Sequence, residues 1–320
     1  MKISILALLC LVAALPACKR SDPKAAASAP VKPYQPKDRT KPDLFLARSK
    51  GKYGFIDKTG KFVLPPIYRK ALEFSEGLAP VEAITGKWGF VDTSGTPVIP
   101  PLYDLALPFS EGLATVQSGS LFGAINKAGE MIVKPKFAGI SQFNEGLAAT
   151  IFEQTVQAIK LRGWGYIKPD GIFHIAPNYE AAGTFAEEVA PVKVFGKKWG
   201  YMDKDQKIRI EPIFESANMF AEGLASVESS NEAQYRWGFI NHEGKYIIEP
   251  RFTLARTFSE GLVGVQINNS KWGFCDRTGN LVVKALYDDV GQFHNGLALV
   301  RLGVKESYID AAGKTVWKED

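Results

Sequence analysis

The chain has 320 residues with 46% apolar and 12% aromatic side chains and 30 glycines, enough for a real core built from many short strands and turns. Its formal charge of +5 comes from Lys2 and from residues 19–43, which hold seven basic and three acidic residues; residues 44–320 are neutral. A neutral body lacks the basic footprint of a nucleic-acid binder, so no nucleic-acid partner is expected.

In chain order, the first segment is MKISILALLCLVAALPAC. It has a charged start, an apolar run from Ile3 to Leu15 and small residues before Cys18, the layout of a secretory signal over residues 1–17. The apolar run is too short to span a bilayer comfortably. Leu15-Pro16-Ala17-Cys18 resembles the lipobox of bacterial lipoproteins. The resemblance implies that Cys18 is acylated and becomes the mature N-terminus; the alternative is a secreted protein cut after Ala17. Lys19 follows. In Gram-negative lipoproteins Asp at that position favours inner-membrane retention, so its absence implies the outer membrane. Cys275 is then the one cysteine left in the body, with no partner for a disulfide, and reads as a small buried apolar residue.

Residues 18–43 follow as a tether rich in Pro, Ala and Lys, too polar to bury a core. Its basic charge suits an anionic lipid surface as well as it suits a solvated spacer.

From residue 44 the chain repeats itself. FSEGLA stands at 74–79 and again at 109–114, with relatives at 143, 185, 220, 258 and 293. An aromatic-Gly pair marks each copy: Tyr53-Gly54, Trp88-Gly89, Phe122-Gly123, Trp164-Gly165, Trp199-Gly200, Trp237-Gly238 and Trp272-Gly273. An eighth copy, Ser307-Tyr308-Ile309-Asp310, has lost the pair. A period of about 35 residues means a stacked array.

Each unit reads as three short strands. In residues 78–99 these are the stretch from Leu78, the stretch Lys87–Asp92 and Pro97–Ile99. An Asx…Gly turn (DTSG at 92–95, DRTG at 276–279) joins the second to the third. The D-x-D-x-D-G spacing of a calcium loop is absent. The third strand is expected to stop at proline, as at Pro100 or Pro212, because proline removes a ladder donor. The following Tyr103-Asp104 to Phe109 stretch is a fourth short strand or a crossing loop. Within the box, Phe74 is an apolar anchor, Ser75 and Glu76 are expected exposed, and Gly77 supplies the positive φ of a turn. Alternation places Leu78 on one face and Ala79 and Val81 on the other. Trp88 and Phe90 share a face opposite Gly89 and Val91. Each unit thus supplies half of a core that its neighbour completes.

KWGFVDTSG (87–95), KWGYMDKD (198–205), RWGFINHEG (236–244) and KWGFCDRTG (271–279), each with its FxEGLA box, resemble WG (KWG) repeats. The resemblance covers nearly all of residues 44–320. It implies an all-β array of eight units and implies no reaction. A closed β-propeller is favoured over an open β superhelix, since eight units fit a ring and small residues suit a crowded centre.

Function is sought where the repeat is disturbed. Residues 150–163 form a hairpin about seven residues longer than its neighbours, and residues 229–236 one about three residues longer. They give the candidate binding surface: Phe152, Glu153, Gln154, Gln157, Lys160, Arg162, Tyr235 and Arg236. At Glu187-Glu188 the box loses its glycine. The histidines, His174, His242 and His294, have no partners at metal spacing, and His242 and His294 are expected exposed. Neither a G-x-S-x-G nucleophile, a P-loop nor a dinucleotide fingerprint occurs. The expectation is a monomeric, non-enzymatic lipoprotein without cofactor or metal. It would be held to the membrane by its N-terminal lipid and display a surface to a protein or envelope component. A channel enzyme of propeller type and a passive envelope protein are the alternatives.

Overall fold

A computed structural model describes residues 43–156, 159–231, 234–268 and 270–319; of residues 154–156, 159–161, 230–231 and 234–235 only the backbone is described. The signal segment, Cys18 and the tether up to residue 42 lie outside it. Every regular element among the described residues is a β-strand.

The strands fall into eight antiparallel units. Unit 1 has Phe45–Ser49, Lys52–Ile56 and Phe62–Tyr68. Unit 2 has four strands: the two-residue Lys70–Ala71, then Leu78–Glu82, Trp88–Asp92 and Pro97–Tyr103. Units 3, 6, 7 and 8 repeat that order from Leu105, Ser216, Leu254 and Asp289. Units 4 and 5 share the strand Phe173–Ala182, which closes one and opens the other. The stretch between repeats is therefore a fourth strand, and it belongs to the unit that follows.

Eight hydrophobic clusters lie between neighbouring units. Trp88, Phe90 and Ile99 of unit 2 meet Phe109, Ala114 and Val116 of unit 3. On the other face of unit 2, Ala79, Val81 and Val91 meet Phe55 and Leu64 of unit 1. The expected division of faces holds, and Ala79, Ala114, Ala148, Ala190, Ala225 and Ala298 are fully buried. The eighth cluster joins the last unit to the first: Leu297 and Tyr308 pack on Phe45, Ala47 and Ile56. There the Tyr308 hydroxyl donates to the Leu46 carbonyl at 2.9 Å, and Arg48 Nε donates to Glu319 at 2.9 Å. The array is a closed ring, an eight-bladed β-propeller, and an open superhelix is excluded.

Several expectations are corrected, the first at proline. The third strand does not stop at proline; Pro97–Tyr103 runs through Pro100 and Pro101. It does so by a bulge: Trp88 faces Tyr103 while Phe90 faces Ile99, so the prolines sit where ladder donors are not needed. That bulge explains the repeat's second landmark. A Cβ on Gly89 would lie 2.5 Å from the Ile99 carbonyl oxygen. The tryptophan is followed by glycine because the neighbouring backbone occupies the side-chain position.

The second correction concerns the box. Ser75 and Leu78 exchange backbone hydrogen bonds around a two-residue turn in which Glu76 (φ 53) and Gly77 (φ 86) are both left-handed. The Glu76 side chain does not stay in its own unit. It accepts from Gly112 N–H in the next box at 3.2 Å. The same step recurs from Glu111 to Gly146, Glu145 to Glu188, Glu187 to Gly223, Glu222 to Gly261 and Glu260 to Gly296. Beside it, Ser75 Oγ donates to the Phe109 carbonyl at 2.7 Å, and Ser110, Asn144 and Ser259 do likewise. The phrase FSEGLA thus sews blades 2 to 8 together in order. Replacing Glu76 by Ala strands the Gly112 N–H and removes the carboxylate 3.0 Å from the Lys127 ammonium, which keeps its bond to the residue 76 carbonyl. A loss of about 1–2 kcal/mol is expected by urea denaturation, with no change in strand content.

The Asx…Gly turns form as expected. Asp92 Oδ1 accepts from Ser94 N and Thr96 N, and the Ser94 hydroxyl with these amides holds the carboxyl below the ordinary carboxylate range. His242 is not an exposed substitution: it stacks on Phe220 with ring centroids 4.0 Å apart, and its Nε2 lies 2.7 Å from Glu187. It occupies the place that Lys127, Lys204 and Arg277 hold at other joints, each beside the box glutamate of the preceding blade. His294 is half-buried, with its ring 5.9 Å from Phe45. Cys275 is buried and its thiol is pushed up to about 12 by burial, as suits an inert packing residue.

Candidate binding surface

Antiparallel geometry gives the ring two different faces. The box turns and the Asx…Gly turns share one face, where Lys127 reaches back to Glu76. The hairpin tips between the second and third strands of each four-stranded blade therefore lie on the other.

On that second face two hairpins are longer than the rest. In blade 4, Ala148–Val156 pairs with Ile159–Ile167 through nine residues on each side. In blade 6, Ala225–Asn231 pairs with Gln234–Ile240 through seven. The corresponding strands of blade 2 have five residues each. The lengthened hairpins stand on either side of blade 5, whose own tip carries the exposed Phe195 and Lys197.

The candidate residues divide between them. Phe152 stands at the root of the blade 4 hairpin, its ring edge-on to Phe173 at 5.8 Å, and Phe173 in turn meets Phe137 at 5.8 Å. This aromatic row fixes where the hairpin leaves the ring. One pair further out, Glu153 and Arg162 face each other across the ladder with an ion pair of 3.0 Å. Both side chains are more than half exposed (52% and 63%), so the pair adds little stability and leaves its charges at the surface. Gln157 lies outside the described residues, and the side chains of Gln154, Lys160 and Tyr235 lie outside them too. Arg236 is half-buried on blade 6, two blades away from the group on blade 4.

Sequence reading missed a second feature. A polar cavity of about 470 Å³ opens between blades 6, 7 and 8, lined by Asn218, Ala255, Arg256, Thr257 and Gln292. These residues lie in or just after the first strand of each blade, shortly before the box phenylalanine. Arg256 Nη2 donates to Asp289 Oδ1 at 2.6 Å, its guanidinium lies 4.9 Å from the centre of the Trp272 ring, and its buried Nε has no hydrogen-bond partner. Gly264 borders the same space: a Cβ there would stand 2.7 Å from Val290 Cγ2 and 3.4 Å from Arg256 Cδ. The signal was present as Arg256 and Gly264, two residues at repeat positions where other copies carry neither. Among the described residues no group of three His, Cys, Asp or Glu side chains is placed to hold a metal.

Comparison with solved structures agrees with the fold. AztD from Citrobacter koseri aligns with a TM-score of 0.54 at 12% identity, over 87% of this chain and 94% of that one. An acylaminoacyl peptidase from Pyrococcus horikoshii aligns with a TM-score of 0.50 at 8% identity, over 85% of this chain and 52% of that one. BamB from Moraxella catarrhalis aligns with a TM-score of 0.48 at 12% identity, over 85% and 92%. None of the curated proteins matches in sequence. The WG containing repeat matches residues 53–88, 88–121, 122–150, 164–199, 199–231, 237–270 and 272–305, stopping short of the degenerate eighth copy. The chain belongs to the WG-containing repeat family.

Proposed function

We propose that this propeller is a non-enzymatic binding scaffold, exported and held to the membrane by acylation of Cys18, with the outer membrane as its site. The observation that carries the binding role is the pair of lengthened hairpins. Seven of the eight blades obey one tight pattern on the face of the box turns, whereas blades 4 and 6 depart from it on the opposite face. A ring already closed by eight shared cores gains nothing in stability from strands that extend beyond it. Their cost is tolerated where they make contacts outside the chain. Exposed Glu153 and Arg162, on a stem fixed by Phe152, form a polar surface with an aromatic root, suited to a protein partner.

The test is recovery of partners from an envelope extract. The ring is used as bait, intact and with residues 153–162 replaced by a short turn like that of blade 2. Loss of specific proteins from the shortened form supports the reading; equal recovery by both forms overturns it. Metabolic labelling with a fatty acid, compared between the native chain and Cys18→Ser, tests the anchor separately.

A further inference from the structure

We infer that the hairpin tips of blades 8, 1 and 2 form a membrane-facing arc that rests on an anionic lipid surface. These three tips are neighbours across the closing seam of the ring, on the face opposite the box turns. Their sequences are Leu302-Gly303-Val304-Lys305, Ser49-Lys50-Gly51-Lys52 and Ala83-Ile84-Thr85-Gly86-Lys87, with no acidic residue in any. Ile84 is 90% exposed, Val304 83% and Leu302 58%. A scattered aliphatic side chain on a surface needs no explanation, but these stand at projecting loop tips, and exposed Lys50, Lys52 and Lys305 lie between them. The opposite ends of the same blades contrast with them: DAAG, DKTG and DTSG each carry an aspartate, and none carries an exposed large apolar residue.

Aliphatic tips alternating with lysines match the interface of a bilayer. Acyl-chain boundaries accept the aliphatic ends while acidic headgroups pair with the ammonium groups. A side chain ties two of the tips together: Arg48 of blade 1 donates Nη2 to the Val304 carbonyl of blade 8 at 3.2 Å. This inference shares with the proposed function the placement beside a membrane. It uses residues on the far side of the ring from the lengthened hairpins.

The test uses the chain lacking residues 1–18. All eight clusters lie within residues 44–317, so this form keeps every core contact and has no acyl group. Co-flotation is measured with vesicles of equimolar phosphatidylglycerol and phosphatidylcholine, and with phosphatidylcholine alone. The expected result is salt-sensitive binding to the anionic vesicles, weakened about tenfold in the Ile84→Asp/Val304→Asp double variant. The same double variant should keep the native thermal midpoint, because both side chains are exposed. Phe195→Asp, between the long hairpins, should bind like the native chain. Equal binding by the double variant would assign attraction to the basic tether and overturn the arc. Absence of binding to either vesicle would overturn it as well, leaving a protein as the partner of these tips. Neither outcome bears on the recovery experiment with the shortened hairpin.

Discussion

Replacing Gly89 by alanine is expected to cost about 3 kcal/mol or more, measured by urea denaturation of the ring. The methyl group would stand 2.5 Å from the Ile99 carbonyl oxygen and 2.8 Å from backbone atoms of both Pro100 and Pro101. No side-chain rotamer relieves that contact, because the obstruction is backbone. The bulge must therefore open, and with it go the pairings of Trp88 with Tyr103 and of Phe90 with Ile99. Those residues line the cluster between blades 2 and 3, so the strain is transmitted into packing rather than absorbed by a loop. Gly238→Ala should behave alike, since its Cβ would lie 2.7 Å from the Ile248 carbonyl oxygen. Thr85→Ala, exposed in the hairpin beside Gly89, should change stability by less than about 0.5 kcal/mol. A Gly89→Ala protein as stable as the native one would show that the glycine is not dictated by the bulge.

The same glycine marks the boundary of what the sequence discloses. Period, strand order and division of faces were legible, because each depends on alternation within one unit: Leu78 against Ala79, Trp88 against Val91. The bulge was hidden, because it depends on how two strands slide past each other. Proline then signalled an end where the chain has an irregularity. The box was half legible. Gly77 announced a turn, but the reach of Glu76 to Gly112 crosses 36 residues, and local pattern carries no information about such a bond. His242 was misplaced for the same reason; its environment is built by Phe220 and Glu187 of other segments. For the candidate surface, the extra length at 150–163 was visible, and the structure adds that both long hairpins share one face. Of the cavity only Arg256 and Gly264 stood out, as departures from the repeat; that Asn218, Arg256 and Gln292 meet depends on how three blades are arranged about the ring.

Phe45→Ala tests the joint on which the whole ring depends, and about 3–5 kcal/mol should be lost. Phe45 is 1% exposed and meets Tyr308 edge-on with centroids 5.4 Å apart. Phe90→Ala, equally buried between blades 2 and 3, should lose a similar amount of global stability. The two should differ in where the ring opens. At six joints the box glutamate reaches the next box, and at each of them a neighbouring hydroxyl or amide, a basic residue, or both add a further link. Blade 1 has three described strands, and its joint to blade 8 rests on the Phe45 cluster, the Tyr308 hydroxyl and the Arg48–Glu319 pair. The described polar links of this seam all run through two side chains, Tyr308 and Arg48, and not through the turn-to-turn bond of the other joints, so loosening the cluster they border exposes both. Native-state hydrogen exchange should then show protection lost first in strands Phe45–Ser49 and Lys305–Asp310 of the Phe45→Ala protein, with blades 4 to 6 still protected. In Phe90→Ala the early loss should centre on blades 2 and 3. If both variants open in the same place, the seam is no weaker than the other joints, and closure of the ring is distributed rather than local.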